Sequence, residues 1–234
     1  MTNLDYYITT TIPYVNGRPH IGHALEFVQA DALARRLKLL GNRVTFQTGT
    51  DDNAIKNVRS AEEAGVSPKE FVDQNAEKFR KLCHDYRIDY DQFVRTSGES
   101  HKKGVQKFWS ALKSKDLYRK SYSGLYCYGC EDFYKEENLV NGLCPDHQKA
   151  PEPIDEENFF FRLSHYEDQL IDLIETDKLK IEPQSRKNEV LSFIKQGLTD
   201  ISISRSKLRT GGWGVPVPGE ADQVVYVWID ALIN

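Results

Sequence analysis

The chain lacks the features of several common protein classes. No apolar run approaches the ~20 residues that a membrane-spanning helix needs, and the polar start from Met1 to Asp5 is unlike a secretory leader. The formal net charge is -4, whereas a protein that only coats nucleic acid would be basic. We therefore expect a cytoplasmic protein without a membrane partner, in which any contact with RNA is local.

The glycine-rich loops that usually bind phosphate are also absent. Neither GxGxxG nor GxxxxGK[ST] occurs in the sequence. Cysteines number only 4, and three of them lie near a histidine, which in a reducing compartment favours a metal site over disulfides. The remaining one, Cys83, lies in a helical pattern and is interpreted as a packing residue.

Near its start the chain contains a strand, a turn and a helix in close succession. Residues 7–12 are mostly apolar or β-branched, a turn rich in proline and glycine follows, and a helix is predicted to begin within residues 19–23. Anions bind at helix starts, where amides lack partners and the macrodipole is positive. His20 and His23 share one face, and Gly22 leaves room for a phosphate. The stretch predicts a nucleotide site, with helix capping and core packing as alternative roles for the histidines.

The residues up to Asp51 predict one right-handed parallel βαβ unit. Gly41 is expected to end the helix, and alternation over 44–48 predicts the second strand. Ligands of parallel sheets bind beyond the carboxyl ends of the strands, so Asp51 is placed to meet a cationic group, or else to cap the next helix. The helix is expected to bury an apolar stripe made of Ile21, Leu25, Val28, Ala32, Leu33, Leu37 and Leu40.

Further elements follow along the chain. Ser67 with Pro68 and Glu70 predicts a capped helix, and a strand is expected near 88–94. The next helix is expected to bury Val105, Phe108, Trp109 and Leu112. Residues 152–157 are interpreted as an acidic loop, 158–163 as an aromatic strand, and 224–228 as a buried strand.

A metal site is predicted from the pattern C-x2-C-x13-C-x2-H. Thiolates and an imidazole at this spacing can form a tetrahedron around zinc, and four protein ligands leave no open position for chemistry. The sequence therefore predicts one structural Zn2+ per chain. Its ligands are Cys127, Cys130, Cys144 and His147.

Several stretches resemble the methionyl enzymes of the class I aminoacyl-tRNA synthetases, in the expected order. They are PHIGH at 19–23, TGTD at 48–51, GLYCYGCEDFY at 124–134, the run from Arg186 to Lys207, and VVYVWIDALIN at the end. The resemblance implies an α/β fold, a Rossmann-like parallel sheet nucleotide-binding domain interrupted by a zinc-knuckle insertion. The implied boundaries are 1–116 for the first half of the catalytic domain, 117–183 for the insertion, and 184–234 for a truncated return to the catalytic domain.

The same resemblance implies roles for individual residues. His20 and His23 are expected to be catalytic, stabilising phosphates, and the ATP site would comprise Gly17, His20, Gly22 and His23. Asp51 is expected to hold the ammonium of L-methionine, whose side chain would lie among Ile12, Tyr14, Trp228 and Ala231. Mg2+ is expected with ATP, without an identified ligand. The chain has Asp52-Asn53-Ala54 where the family often has Glu-His-Gly, so no family role is transferred to Asn53.

The function expected from this resemblance is that of a methionine:tRNA ligase, with ATP, methionine and tRNA(Met) as partners. Two alternatives stay open: a related synthetase for another apolar amino acid, and a non-catalytic zinc-stabilised module that binds RNA or protein. The sequence contains no KMSKS-like segment. We therefore expect the 234-residue chain to be weakly active or inactive unless a separate polypeptide supplies a C-terminal half.

Overall fold

The protein is described by a computed structural model that covers residues 4–130 and 132–234. Residues 1–3, which belong to the predicted polar start and first domain, and Glu131, inside the cysteine-rich motif, lie outside the described residues. The first part of the chain forms a parallel sheet with helices: β1 (Asp5–Thr9), α1 (Ile21–Leu39), β2 (Arg43–Thr50), α2 (Ile55–Ala64), α3 (Pro68–Asp85), β3 (Gln92–Arg95) and α4 (Glu99–Ala111).

The predicted parallel βαβ architecture is confirmed. The strand order is β1-β2-β3, and both pairings are parallel. Local signals set the ends of the helices: Gly41 adopts φ 84° just after α1, and Ser67 Oγ accepts a hydrogen bond from the Glu70 amide at the start of α3. Phe27, Phe46 and Phe79 are buried between the sheet and its helices.

The predicted buried stripe of α1 is wrong. The helix buries Ala24, Phe27, Asp31 and Ala34 instead, whereas Ile21 is 77% exposed, like most of the predicted stripe. Small side chains let the helix approach the sheet closely, and Asp31 is satisfied by hydrogen bonds from Arg35 and the Asp89 amide. Phe108 of α4, also predicted to be buried, is exposed.

The cysteine-rich segment belongs to an antiparallel sheet. It contains β4 (Leu117–Cys127), β5 (Asp132–Tyr134), β6 (Glu152–Phe161) and, after α5 (Glu167–Glu175) and α6 (Gln184–Ile194), β7 (Ile201–Ser202), in the order β5-β4-β6-β7. The prediction of an acidic loop at 152–157 is wrong, because each of these residues pairs with β4. Their charges are matched by arginines, Glu156 by Arg209 and Glu157 by Arg119.

The last segment is a hairpin-like pair of strands with two short helices: β8 (Ser204–Ser206), α7 (Lys207–Thr210), β9 (Gln223–Val225) and α8 (Val227–Ala231). The predicted strand at 224–228 ends at Val225, since β9 pairs with β8 and the chain then turns into α8. Ile203 and Val225 pack with Val105 and Trp109 of α4 in a second core. Within the described residues, no helix has the length and hydropathy to cross a membrane.

Candidate active site and metal centre

A cavity of about 680 Å³ lies beyond the carboxyl ends of β1 and β2, where α8 closes one side. This volume is in the usual range for a small-molecule site. All the residues predicted to surround methionine line it. The lining comprises Thr9, Thr10, Thr11, Ile12, Tyr14, Glu26, Asp51, Trp228, Ala231, Leu232 and Asn234.

Aromatic rings form one wall of this cavity. Tyr14 and Trp228 meet edge to face with ring centroids 6.4 Å apart, and Trp228 is half exposed toward the open space. Lys56 of α2 lies 5.1 Å from the centroid of the Tyr14 ring. Such rings offer favourable contacts to a thioether and, more generally, to an unbranched apolar side chain.

Asp51 supplies the buried carboxylate of the cavity. Its amide donates to Pro13 O at 2.9 Å, and its Oδ1 accepts from the Asn53 amide and the Thr96 hydroxyl, each at 3.2 Å. The alternative role as a helix cap is not observed, because Ala54 is the N-cap residue of α2. A carboxylate fixed in this way can bind an ammonium group without rearranging.

The two histidines cap the start of α1. His20 Nδ1 accepts from the Gly22 amide at 3.1 Å, His23 Nδ1 accepts from the His20 amide at 3.2 Å, and the rings stack 3.7 Å apart. A Cβ at Gly22 would lie 2.9 Å from the His20 ring, whereas one at Gly17 would meet no atom within 4 Å. The helix start is thus closed by His20, and an anion placed there would compete with that ring for the Gly22 amide.

The environment of His23 favours its neutral form. Burial lowers the pKa of His23, proximity to His20 lowers it further, and Glu26 opposes both effects. The ring also packs 5.2 Å from Phe79. A phosphate beside the His23 ring would favour its protonation, which gives this group the chemistry needed to stabilise developing charge.

The structure does not bring the predicted ATP residues into the wall of this cavity. Among the described residues lining that cavity, Glu26 is the one from α1, and it accepts hydrogen bonds from the amide and hydroxyl of Thr11, both at 2.6 Å. The sequence analysis missed Glu26 and Thr11. Their positions in the sequence could have indicated them, because Glu26 follows His23 by three residues on α1, and Thr11 follows β1.

The metal cluster is confirmed as a spatial group. One ligand atom from each of Cys127, Cys130, Cys144 and His147 lies within 4.8 Å of the others. Cys130 Sγ is 3.4 Å from Cys144 Sγ and 3.3 Å from His147 Nδ1. Zinc–sulfur bonds of about 2.3 Å in a tetrahedron place sulfurs about 3.8 Å apart, so small shifts accommodate the ion. The cluster is consistent with a zinc site.

Neighbouring groups shape this cluster. Burial raises the pKa of Cys130 to about 12. Burial also acts to raise the pKa of Cys144, but hydrogen bonds with His147 outweigh it and lower that pKa to about 6. Gly129 is needed here, because a Cβ at this position would lie 2.4 Å from the His147 ring.

The cluster is joined to the parallel-sheet part of the chain through α2. The Arg59 guanidinium lies 3.3 Å from the centroid of the Tyr128 ring, between two of the cysteines in sequence. Arg59 also pairs with Glu152 at 3.3 Å. The knuckle is therefore held against the helix that follows Asp51.

The chain combines a parallel α/β sheet, a histidine-capped helix, a cavity of amino-acid size at the carboxyl edge of the sheet, and a Cys3His cluster. This is the organisation of a class I aminoacyl-tRNA synthetase catalytic domain. The family model described as "tRNA synthetases class I (M)" matches residues 6–152 and 147–234. The chain is 44% identical over 239 residues to a methionine--tRNA ligase of Brucella suis, covering 100% of the chain and 46% of that protein. It is 42% identical to one of Thermotoga maritima, covering 99% and 37%.

Solved structures give the same result. A Mycobacterium tuberculosis methionyl-tRNA synthetase bound by methionyl-adenylate superimposes with a TM-score of 0.91 at 38% identity, covering 99% of the chain and 46% of that protein. The apo form of that enzyme gives 0.78 at 36% identity, covering 99% and 45%. The chain belongs to the methionyl-tRNA synthetase family and corresponds to the N-terminal catalytic region of its members. It spans less than half the length of these relatives.

Proposed function

We propose that this chain carries the methionine-activating site of a methionine:tRNA ligase. The methionine carboxylate attacks the α-phosphorus of ATP, pyrophosphate leaves, and the terminal adenosine of tRNA(Met) then accepts the methionyl group. The observation that carries the proposal is the cavity itself, which unites a buried carboxylate, Asp51, with the aromatic wall formed by Tyr14 and Trp228. The relative of known structure that binds methionyl-adenylate supports it.

In this proposal each group has a role set by its charge and position. Asp51 binds the ammonium of methionine, and Ile12, Tyr14, Trp228 and Ala231 surround its side chain. His20 and His23 bind the phosphates of ATP, which enters with Mg2+, and Gly17 and Gly22 allow the nucleotide to approach the backbone. Transfer at phosphorus depends on positioning and charge stabilisation more than on a protein nucleophile.

The Cys3His cluster would hold one structural zinc. Four protein ligands close its coordination, so the ion organises the insertion and does not enter the reaction. We also propose that the insertion begins after residue 116 and ends at residue 183, and that the protein is cytoplasmic.

We also propose that a further segment of a synthetase covers α1, either in the same polypeptide or in trans. Ile21, Leu25 and Val28 lie on one side of α1 and are exposed, and Tyr7 of β1 is 59% exposed. Among residues 4–130 and 132–234, β1 pairs with β2 alone. Exposed apolar faces and unpaired strand edges favour association.

Methionine-dependent exchange of pyrophosphate into ATP tests the proposed activity. Because the chain spans less than half the length of its relatives, exchange is measured for the chain alone and for the chain mixed with a C-terminal half from a similar enzyme, and methionine-dependent exchange in either preparation supports the proposal. Screening the mixture across amino acids separates methionine from other apolar substrates. Exchange with another amino acid only would favour a related synthetase, and binding of RNA without exchange in any mixture would favour a non-catalytic module.

Asp51→Ala is expected to weaken methionine binding without unfolding the chain. The charge-assisted contact is worth about 1.5 to 3 kcal/mol, or roughly 10- to 150-fold in affinity. Calorimetry with methionine and its des-amino analogue measures the effect, and the variant should bind the two ligands alike. Asp5→Ala, at the amino end of the neighbouring strand β1 and outside the cavity lining, is the control. Equal binding of both ligands by the parent chain would exclude a role for Asp51 in reading the ammonium.

A further inference from the structure

Three polar side chains are buried together behind the amino-acid cavity. Asn53, His101 and Asp230, here called the Asp230 cluster, are 8%, 8% and 0% exposed. Asn53 Nδ2 donates to Asp230 Oδ2 at 2.6 Å, and His101 Nε2 is hydrogen-bonded to Asp230 Oδ1. Both oxygens of the carboxylate are thus engaged, although the three residues come from distant parts of the chain.

The cluster connects two opposite sides of the cavity. On one side, the Asn53 amide donates to Asp51 Oδ1 at 3.2 Å, and the Asn53 side chain also donates to Thr96 O at 3.0 Å. On the other side, Asp230 lies on the buried face of α8, whose Trp228 and Ala231 line the cavity. Asn53 therefore contacts both the carboxylate of the site and the helix that carries its aromatic wall.

The position of α8 depends on such contacts. A helix of 5 residues has no stability of its own in water, so its place is set by tertiary interactions. Apolar anchoring by Ile229 and Ile233 resists separation but tolerates sliding. Hydrogen bonds to a buried carboxylate are directional, and their loss leaves a charge without its partner. The Asp230 cluster therefore fixes the register of α8 against the end of β2.

We propose that Asn53 is a positioning residue that sets, through Asp230, the distance between the Trp228–Ala231 wall and Asp51. This inference rests on the proposed methionine site. It assigns the discrimination between substrate side chains of different length to Asn53, a residue that does not line the cavity. A wall in fixed register admits methionine and excludes ethionine, which is one methylene longer. With the register loosened, the cavity loses affinity for methionine and accepts the longer side chain.

The experiment uses the full chain and four variants. Asn53→Ala removes the side-chain hydrogen bonds to Asp230 and Thr96 and keeps the backbone bond to Asp51. Asn53→His restores an N–H donor for Asp230, and Asn158→Ala removes a buried amide of β6 as a control for general destabilisation. Binding of methionine and of ethionine is measured by calorimetry. Acrylamide quenching of the tryptophan emission, assigned with Trp228→Phe, reports the position of α8 in the ligand-free chain.

For Asn53→Ala we expect methionine affinity to fall about tenfold and the preference over ethionine to fall by at least about threefold. Quenching of Trp228 should rise, Asn53→His should recover much of each effect, and Asn158→Ala should change none. A variant Asn53→Ala with lower thermal stability but unchanged quenching and unchanged preference would overturn the inference. Failure of the parent chain to bind methionine, with quenching altered in Asn53→Ala, would refute the proposed function while supporting the positioning of α8.

Discussion

Cys130→Ser is expected to abolish stoichiometric zinc binding and to unfold the knuckle, while the parallel sheet stays folded. Structural zinc contributes its binding free energy to folding, about 10 to 16 kcal/mol in zinc-finger peptides at neutral pH. Cys130 is central to the cluster, in contact with Cys144 and His147. Elemental analysis gives the zinc content, and hydrogen exchange along β4 and β5 shows which part of the chain opens.

The chain supplies a matched control for this experiment. Cys83 is a buried cysteine of α3 outside the cluster, and burial raises the pKa of its thiol to about 11. Cys83→Ala should therefore keep its zinc and lose only packing energy. Gly129→Ala should resemble Cys130→Ser in weaker form, because the added Cβ displaces the His147 ring. A parent protein purified with disulfides among the cluster cysteines and only traces of zinc would refute the structural-zinc prediction.

The parts of the fold that follow from local chemistry were predictable from sequence. Gly41 ends α1 because a left-handed residue is needed there, and Ser67 starts α3 because its hydroxyl satisfies the Glu70 amide. The four residues of the Cys3His cluster were predictable because the spacing of its two short pairs is specific. The convergence of Asp51, Tyr14 and Trp228 needed the family resemblance, since no local rule links α8 to the end of β2.

The sequence predictions that were wrong concern features that depend on tertiary contacts. The buried face of α1 is chosen by close approach to the sheet, which favours alanines and tolerates Asp31 with its partners, so counting large apolar residues selects the wrong side. Residues 224–228 resemble a strand by composition, but the strand ends at Val225 and the chain turns into α8, where Asp230 is hydrogen-bonded to Asn53 and His101. In each of these cases the local structure is set by contacts with residues that are distant in sequence.

Glu156→Leu is expected to be among the most destabilising single substitutions outside the cluster. Glu156 of β6 and Arg209 of α7 form an ion pair in which each side chain is 7% exposed, and the guanidinium lies 3.9 Å from the centroid of the Tyr126 ring. Removing one partner of a buried pair leaves the other charge uncompensated and costs about 3 to 5 kcal/mol. Urea unfolding measures the change. Glu189→Leu, which removes the exposed pair with Arg186, should stay below about 1 kcal/mol.

The double variant Glu156→Leu/Arg209→Met separates the charge from the packing. If the loss in the single variant comes from the stranded guanidinium, removing that charge should recover most of the free energy of unfolding, because an apolar pair needs no desolvation. Tyr126 precedes Cys127 of the Cys3His cluster and contacts Arg209, so the single variant should also loosen the knuckle and the double variant should restore it. A double variant as unstable as the single one would show that packing around Tyr126, and not charge, holds α7 against β4.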